Sequence, residues 1–316
     1  MSSRAKPLTI VLLVGTALAC GHEATAPKPS GPRHIYVSDD DRVVRMDSMT
    51  GANWSPLGNQ KDLPHTFESA TGLFADQAGR LYVADYHNDR IVRVDDMTGA
   101  GWVEIGTAGT GALQFNNPIG VVLDGRGRIY VADANNHRIV RMDDMTGANW
   151  IAYGTYGPGQ GEFNDPFGLW VDAQYRIYIA DVRNHRIVRI DDMTGANWTT
   201  IGTLGPGRLQ FYDPYSVFVE PNGRILVADF DNFRVVRMDD FTGAGWTTFG
   251  TPGSGYGQFG RPFGVTEDEA GRIYVADADN HRIVRFDDLA GSNWTSLGSL
   301  GSGPGQFDVA YAVFAR

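Results

Sequence analysis

Three histidines, His137, His185 and His281, lie 48 and 96 residues apart, and each follows an asparagine and precedes an arginine. Imidazole is a common zinc ligand, so the trio raises the question of a shared metal. A second set, Asn117, Asp165 and Asp213, recurs at the same 48-residue interval, with Glu68 near the matching point of the preceding interval. Oxygen donors of this kind suit a hard cation such as calcium. A third set, Tyr86, His87, Arg183, Tyr212, Phe230 and Arg261, offers aromatic faces and charge with which to grip an organic partner. Other chemistry is missing from the chain. It has no Ser-His-Asp arrangement and no CxxC motif, and its glycine-rich "GTYGPGQGEF" at 154–163 sits between strands, where turns are expected.

The elements that must position these groups are repeated ones. Trp54, Trp102, Trp150, Trp198, Trp246 and Trp294 are each 48 residues from the next, as are Arg45, Arg93, Arg141, Arg189, Arg237 and Arg285. Within one period "IGVVLD", "RIYVAD", "RIVRMDD" and "WIAYGT" are β-branched and aromatic runs separated by polar turns, four strands in all. Four strands in 40 to 50 residues is the length of one propeller blade. The first copy is two residues shorter at the turn, "VSDDDRVVRM" against "VADYHNDRIVRV". The chain enters on a second strand, "HIYVSD", and leaves on a lone first strand, "GQFDVAYAVFAR" at 305–316. The two fragments complement each other. The expectation is an all-β, six-bladed β-propeller of four-stranded antiparallel blades, with the C-terminal strand closing blade one. In such a ring equivalent residues on different blades point in different radial directions, which argues against a zinc shared by the three histidines.

The run "QFNNPIGVVLDGRGRIYVADANNHRIVRMD" at 114–143 resembles the NHL repeat, and the resemblance extends over residues 33–316. It implies a six-bladed NHL propeller. It leaves activity open, because that family includes protein-binding modules, RNA-binding modules and an amidating lyase. In outline, the set Glu68, Asn117, Asp165 and Asp213 also resembles the axial metal site of six-bladed lactonases and phosphotriesterases.

Residues that every copy repeats serve the blade. Asp85, Asp133, Asp181, Asp229 and Asp277 end the second strands, each followed by an Asn three residues on, and read as caps of their own turns. The arginines that follow, Arg90 to Arg282, read as their ion-pair partners, and the tryptophans as packing on the outer strand. Residues that differ between copies are where a specific site can arise. Two strips vary: the pair before the inner-strand proline (Asn164-Asp165, Tyr212-Asp213, Gly260-Arg261) and the pair after the repeated Asp (Tyr86-His87, Val182-Arg183, Phe230-Asp231). Both are expected on one face. Phe167, Tyr215, Phe263 and Tyr311 follow the first strip, either lining the channel mouth or packing between blades.

The remaining signals concern partners and location. Formal net charge is -10, and lysine occurs only at Lys6, Lys28 and Lys61, which disfavours a nucleic-acid partner. "MSSRAKPLTIVLLVGTALAC" has a basic start, an apolar run too short to span a bilayer, and small residues before the single cysteine, Cys20. It reads as an export signal over 1–19. Its end resembles a bacterial lipobox, although Ala17 stands where Leu is usual; Ala17 and Ala19 also fit ordinary cleavage, which leaves a free, secreted form open. Lipidation at Cys20 would make 20–32 a tether and 33–316 the propeller, a cell-envelope lipoprotein touching membrane only through its anchor. The expected role is a non-catalytic, monomeric binding or scaffold propeller for a protein or glycan, needing no cofactor unless calcium occupies the oxygen set. The alternative is a metal-dependent hydrolase or lyase with its site at the channel mouth.

Overall fold

The computed structural model describes residues 34–58 and 66–316. Six four-stranded antiparallel sheets follow one another around a central channel. In blade three, from the channel outward, the strands are Pro118–Leu123, Ile129–Asp133, Arg138–Met142 and Ile151–Tyr153. The other inner strands are Ala70–Ala75, Pro166–Val171, Pro214–Val219, Pro262–Glu267 and Ala310–Ala315. The last of these belongs to blade one. Ala310–Ala315 pairs antiparallel with Ile35–Asp39, setting Ile35 opposite Ala315 and Val37 opposite Val313, so the two ends of the described chain close the ring as expected.

Each second strand is buried along its whole length, because neighbouring blades cover both faces of its sheet. That is why Ile129–Asp133 and its counterparts are near-continuous apolar runs and not alternating ones. The cores lie between blades: Ile139 and Phe163 pack with Leu169, Ile177 and Ile179 of the next sheet. The repeated tryptophans seal these cores from outside. Trp150 lies 5.2 Å from Phe115 and Trp198 5.4 Å from Phe163, while Trp54 and Phe307 make the same contact, at 5.4 Å, across the closure. At the axis, glycine lets adjacent inner strands approach. A Cβ at Gly72 would stand 2.1 Å from the Ile119 carbonyl oxygen, and one at Gly120 2.4 Å from that of Phe167. Among the described residues no helix is long and apolar enough to cross a membrane.

Candidate functional site at the channel mouth

The repeated Asp builds the floor of one face. Asp133 accepts the Asn116 backbone N–H on one oxygen (2.7 Å) and, on the other, the Asn136 amide (2.9 Å) and Arg138 Nε (2.7 Å). Arg138 then reaches on to the carbonyls of Thr110 (2.6 Å) and Gln114 (2.8 Å). The expected ion pairs with arginine are present in blades two to six. The expected turn cap is not what the carboxylate does: Asp133 makes no side-chain cap bond to the 3-10 turn Ala134–Asn136 that follows it. Its oxygens are spent instead on the incoming strand and on its Asn and Arg. Burial pushes these carboxyls up, and the hydrogen bonds they accept pull them back. In the shorter blade one, Asp39 and the buried Arg42 do the same work, Asp39 accepting the backbone N–H groups of Asp308 (2.7 Å) and Val309 (3.0 Å).

The histidines occupy the left-handed residue that ends each 3-10 turn, and they clasp the next blade. His137 Nδ1 faces the backbone N–H of Asp165 at 3.3 Å, and His185 Nδ1 that of Asp213 at 3.3 Å. In blade two Asp89 accepts the N–H of Asn117 at 2.8 Å in the same way. His281 Nδ1 instead meets the carbonyl of Asp308. Each histidine therefore serves its own seam. Of the others, His34 pairs with Asp47 at 2.9 Å, His87 is exposed beside the Tyr86 ring, and His65 lies outside the described residues, as does Cys20.

The two variable strips run side by side. The backbone N–H groups of Tyr86, Arg183, Phe230 and Ala278 donate to the carbonyls of Ser69, Asn164, Asp213 and Arg261. Above a central cavity of about 80 Å³, lined by inner strands of all six blades, an aromatic wall rises. Phe167 lies 4.7 Å from Tyr215, which stacks face to face on Phe230 at 3.8 Å and meets Phe263 at 4.8 Å; Phe263 continues to Tyr311 at 5.2 Å. All five rings are partly exposed, so they pack between blades and line the mouth at once. Burial pushes the Tyr215 and Tyr311 hydroxyls up to about 12. The far end of the channel is narrowed by Trp170 on Phe218 (4.4 Å) and Phe74 on Phe314 (5.0 Å).

Charge at the mouth is paired in two places. Arg183, half exposed, reaches Asp213 at 2.5 Å and Asp165 at 3.7 Å, while His185 stands 3.0 Å from the other Asp213 oxygen. Burial raises the Asp213 carboxyl, and Arg183 and then His185 pull it down. Arg261 lies between Asp231 (3.2 Å) and Asp279 (3.5 Å), with its guanidinium carbon 5.4 Å from the centre of the Phe230 ring. The anticipated grip residues thus fall into groups: Arg183 beside Tyr215, Arg261 on Phe230, Tyr86 beside His87, and Tyr212, exposed, edge-on to His185 at 5.6 Å. Three of the four residues of the oxygen set have side chains engaged within the protein. Asn117 donates to the Tyr86 carbonyl (3.2 Å) and accepts from Asn135 (2.6 Å), Asp165 and Asp213 face Arg183, and the exposed Glu68 offers its backbone N–H to Asp85. Among the described residues no three His, Cys, Asp or Glu side chains are grouped to hold a metal ion. The partners of Arg261, Asp231 and Asp279, lay in the variable turn pairs, but sequence reasoning had not joined them to it.

Fold and site together define a six-bladed β-propeller with two variable strips side by side on one face. The NHL repeat family is matched at residues 115–142 and 259–286, so the chain carries NHL repeats. No curated protein matches the chain. Among solved structures, a chain of a nidogen/laminin complex is similar at 16% identity and a TM-score of 0.66, covering 89% of this chain and 97% of that one. A protein of unknown function from Bacteroides caccae matches at 13% identity and a TM-score of 0.63, covering 89% and 98%. A streptogramin B lyase structure matches at 17% identity and a TM-score of 0.56, covering 89% and 86%. At these identities the likeness is one of fold.

Proposed function

We propose that this is a non-catalytic binding propeller that recognises a protein partner through its variable face. One observation carries the reading. Six blades with nearly the same strands and latches diverge at two strips, and hydrogen bonds hold those strips together around a half-exposed aromatic mouth. Exposed aromatics with arginines among them are the side chains that dominate protein interfaces. The nidogen/laminin neighbour supports a protein-binding use of this fold, and the lyase neighbour shows that the fold alone does not choose. Export and lipidation at Cys20 complete the reading by placing the face at the cell envelope. The test is capture with tagged protein from envelope extracts of its own cells. Arg183→Ala with Tyr212→Ala should reduce recovery of a specific partner at least about tenfold, the size of loss expected from a hot spot. Gln77→Ala, an exposed residue on an inner-to-second-strand turn, should leave it unchanged. Recovery that follows the Gln77 variant and ignores the face variant would overturn the proposal.

A further inference from the structure

Arg261 departs from its counterparts in side chain and in backbone. At its register the other blades carry Ser69, Asn117, Asp165, Asp213 and Val309. Ser69, Asn117, Asp165 and Asp213 have φ between 53° and 62°, the left-handed region that short polar residues tolerate, whereas Arg261 has φ 134°. A residue with a Cβ is rarely found there, and such strain collects where a site needs it. The neighbouring Gly260 leaves bare a register at which the other blades carry Glu68, Asn116, Asn164, Tyr212 and Asp308. The ion pairs of Arg261 do not account for the strain. Its Nε lies 3.2 Å from Asp231 of blade five and its Nη1 3.5 Å from Asp279 of blade six, yet 45% of the side chain is exposed, and pairs open to water contribute little. What the pairs do is neutralise the cation at its edges. Its guanidinium carbon stands over Phe230, 5.4 Å from the ring centre, and Phe230 is itself stacked on Tyr215 at 3.8 Å. The side chain is thus set on a ring, flanked by carboxylates and still half open to solvent.

Resting on the binding role proposed above, we infer that Arg261 is the subsite for an aromatic side chain of the partner protein, which lays its ring against the exposed part of the guanidinium. The chemistry selects a ring among the possible ligands. A second guanidinium or an ammonium would meet like charge. A carboxylate or phosphate would have to approach past Asp231 and Asp279, which already hold the positive edges and repel further negative charge. An aromatic face needs neither edge. Its negative quadrupole is attracted to the cation, and guanidinium is weakly hydrated, so little water has to be stripped from it. An aliphatic side chain gains contact area there and no such attraction. The incoming ring also joins the half-exposed wall that Phe230, Tyr215 and Phe263 already form at the mouth.

The experiment titrates the full chain with acetyl-Gly-Phe-Gly-amide, with its pentafluorophenylalanine counterpart and with the glutamate peptide, following NMR shifts of the mouth residues. Fluorination makes the ring more apolar but reverses its quadrupole, so it separates attraction to the cation from simple burial. The phenylalanine peptide should bind at least about threefold more tightly than the fluorinated one, and the glutamate peptide more weakly than phenylalanine. Arg261→Met, which keeps an apolar stem and removes the guanidinium, should abolish the preference for the unfluorinated ring, and Gln77→Ala should retain it. Thermal melts confirm that each variant is folded, and the fluorination series on the unaltered chain is a readout that needs no variant. Equal or tighter binding of the fluorinated peptide would overturn the inference, as would tighter binding of glutamate or a preference that survives Arg261→Met. Partner capture that depends on Arg183 and Tyr212, alongside peptide binding blind to fluorination, would sink the aromatic inference alone. Capture that ignores the face, alongside a peptide preference that needs Arg261, would sink the binding role alone.

Discussion

Glu267 stands where the other inner strands place Ala75, Leu123, Val171, Val219 and Ala315, and its neighbour in blade five is Glu220 where four other blades have Asp. The two departures face each other. Burial, and then the Glu220 charge, raise the Glu267 carboxyl from 4.5 to about 7, against the pull of Arg224, which pairs with Glu220 at 2.5 Å. A carboxyl raised on folding holds its proton more tightly in the native state. Its contribution is therefore fully present below pH 4.5 and is lost as pH rises toward about 7. Glu267→Gln keeps a donor there and cannot ionise. Thermal melts should show the variant and the unaltered protein alike at pH 4, with the variant higher by several degrees at pH 8, where about 2–4 °C corresponds to each kcal/mol in a domain approaching this size. A constant difference across that range would mean that Glu267 is ionised in the native protein. At the same scale Asp213 shows why a residue's type is a poor guide to its use: an Asp before a proline was a natural oxygen ligand, yet Arg183 and His185 already engage its oxygens.

Among the elements, the inner strand carries the tightest constraint. Its third residue is Gly72, Gly120, Gly168 and Gly264 in four blades, Ser216 and Ala312 in the other two. The space for a Cβ differs at each glycine. At Gly72 a Cβ would meet the Ile119 carbonyl oxygen at 2.1 Å, and at Gly264 the Tyr311 carbonyl oxygen at 2.9 Å. Backbone cannot yield as a side chain can, so Gly72→Ala must push two blades apart, at roughly 1–3 kcal/mol or more. Gly264→Ala should cost less. Gly125→Ala, in an open turn with nothing within 4 Å, should stay within about 0.5 kcal/mol of the unaltered protein. Urea midpoints for the three variants test the ranking, and an equal loss at Gly72 and Gly125 would show that the inner strands are not in backbone contact.

For the whole molecule the decisive joint is the closure. Ala310–Ala315 supplies the inner strand of blade one, and Phe307, Ala310, Val313 and Ala315 are buried in the core that it shares with Ile35, Val37 and Tyr274. Deleting 307–316 removes that strand, uncovers Trp54 and leaves the Ile35–Asp39 edge unpaired. Each large buried apolar side chain contributes about 1.5–3 kcal/mol against a typical total near 5–15 kcal/mol. The truncated protein should lose its cooperative melt or fall far in Tm. A truncation that melts like the intact chain would show that the ring does not depend on its C-terminal strand.

By itself the sequence determined the blade and its number of copies, because a repeat of 48 residues writes the same short-range pairings each time: strand with strand, and Asp133 with Asn136 and Arg138 within five residues. The closure was legible too, since a lone first strand at one end and a missing one at the other admit few arrangements. What the tertiary structure decided were contacts between one blade and the next. His137 reaches Asp165 across 28 residues, Arg183 reaches Asp213 across 30, and Tyr215 meets Phe263 of the following blade at 4.8 Å. Whether such residues meet depends on how far the ring turns each blade relative to its neighbour. That angle follows from glycines and interblade cores acting around the whole circle, and no single period contains it.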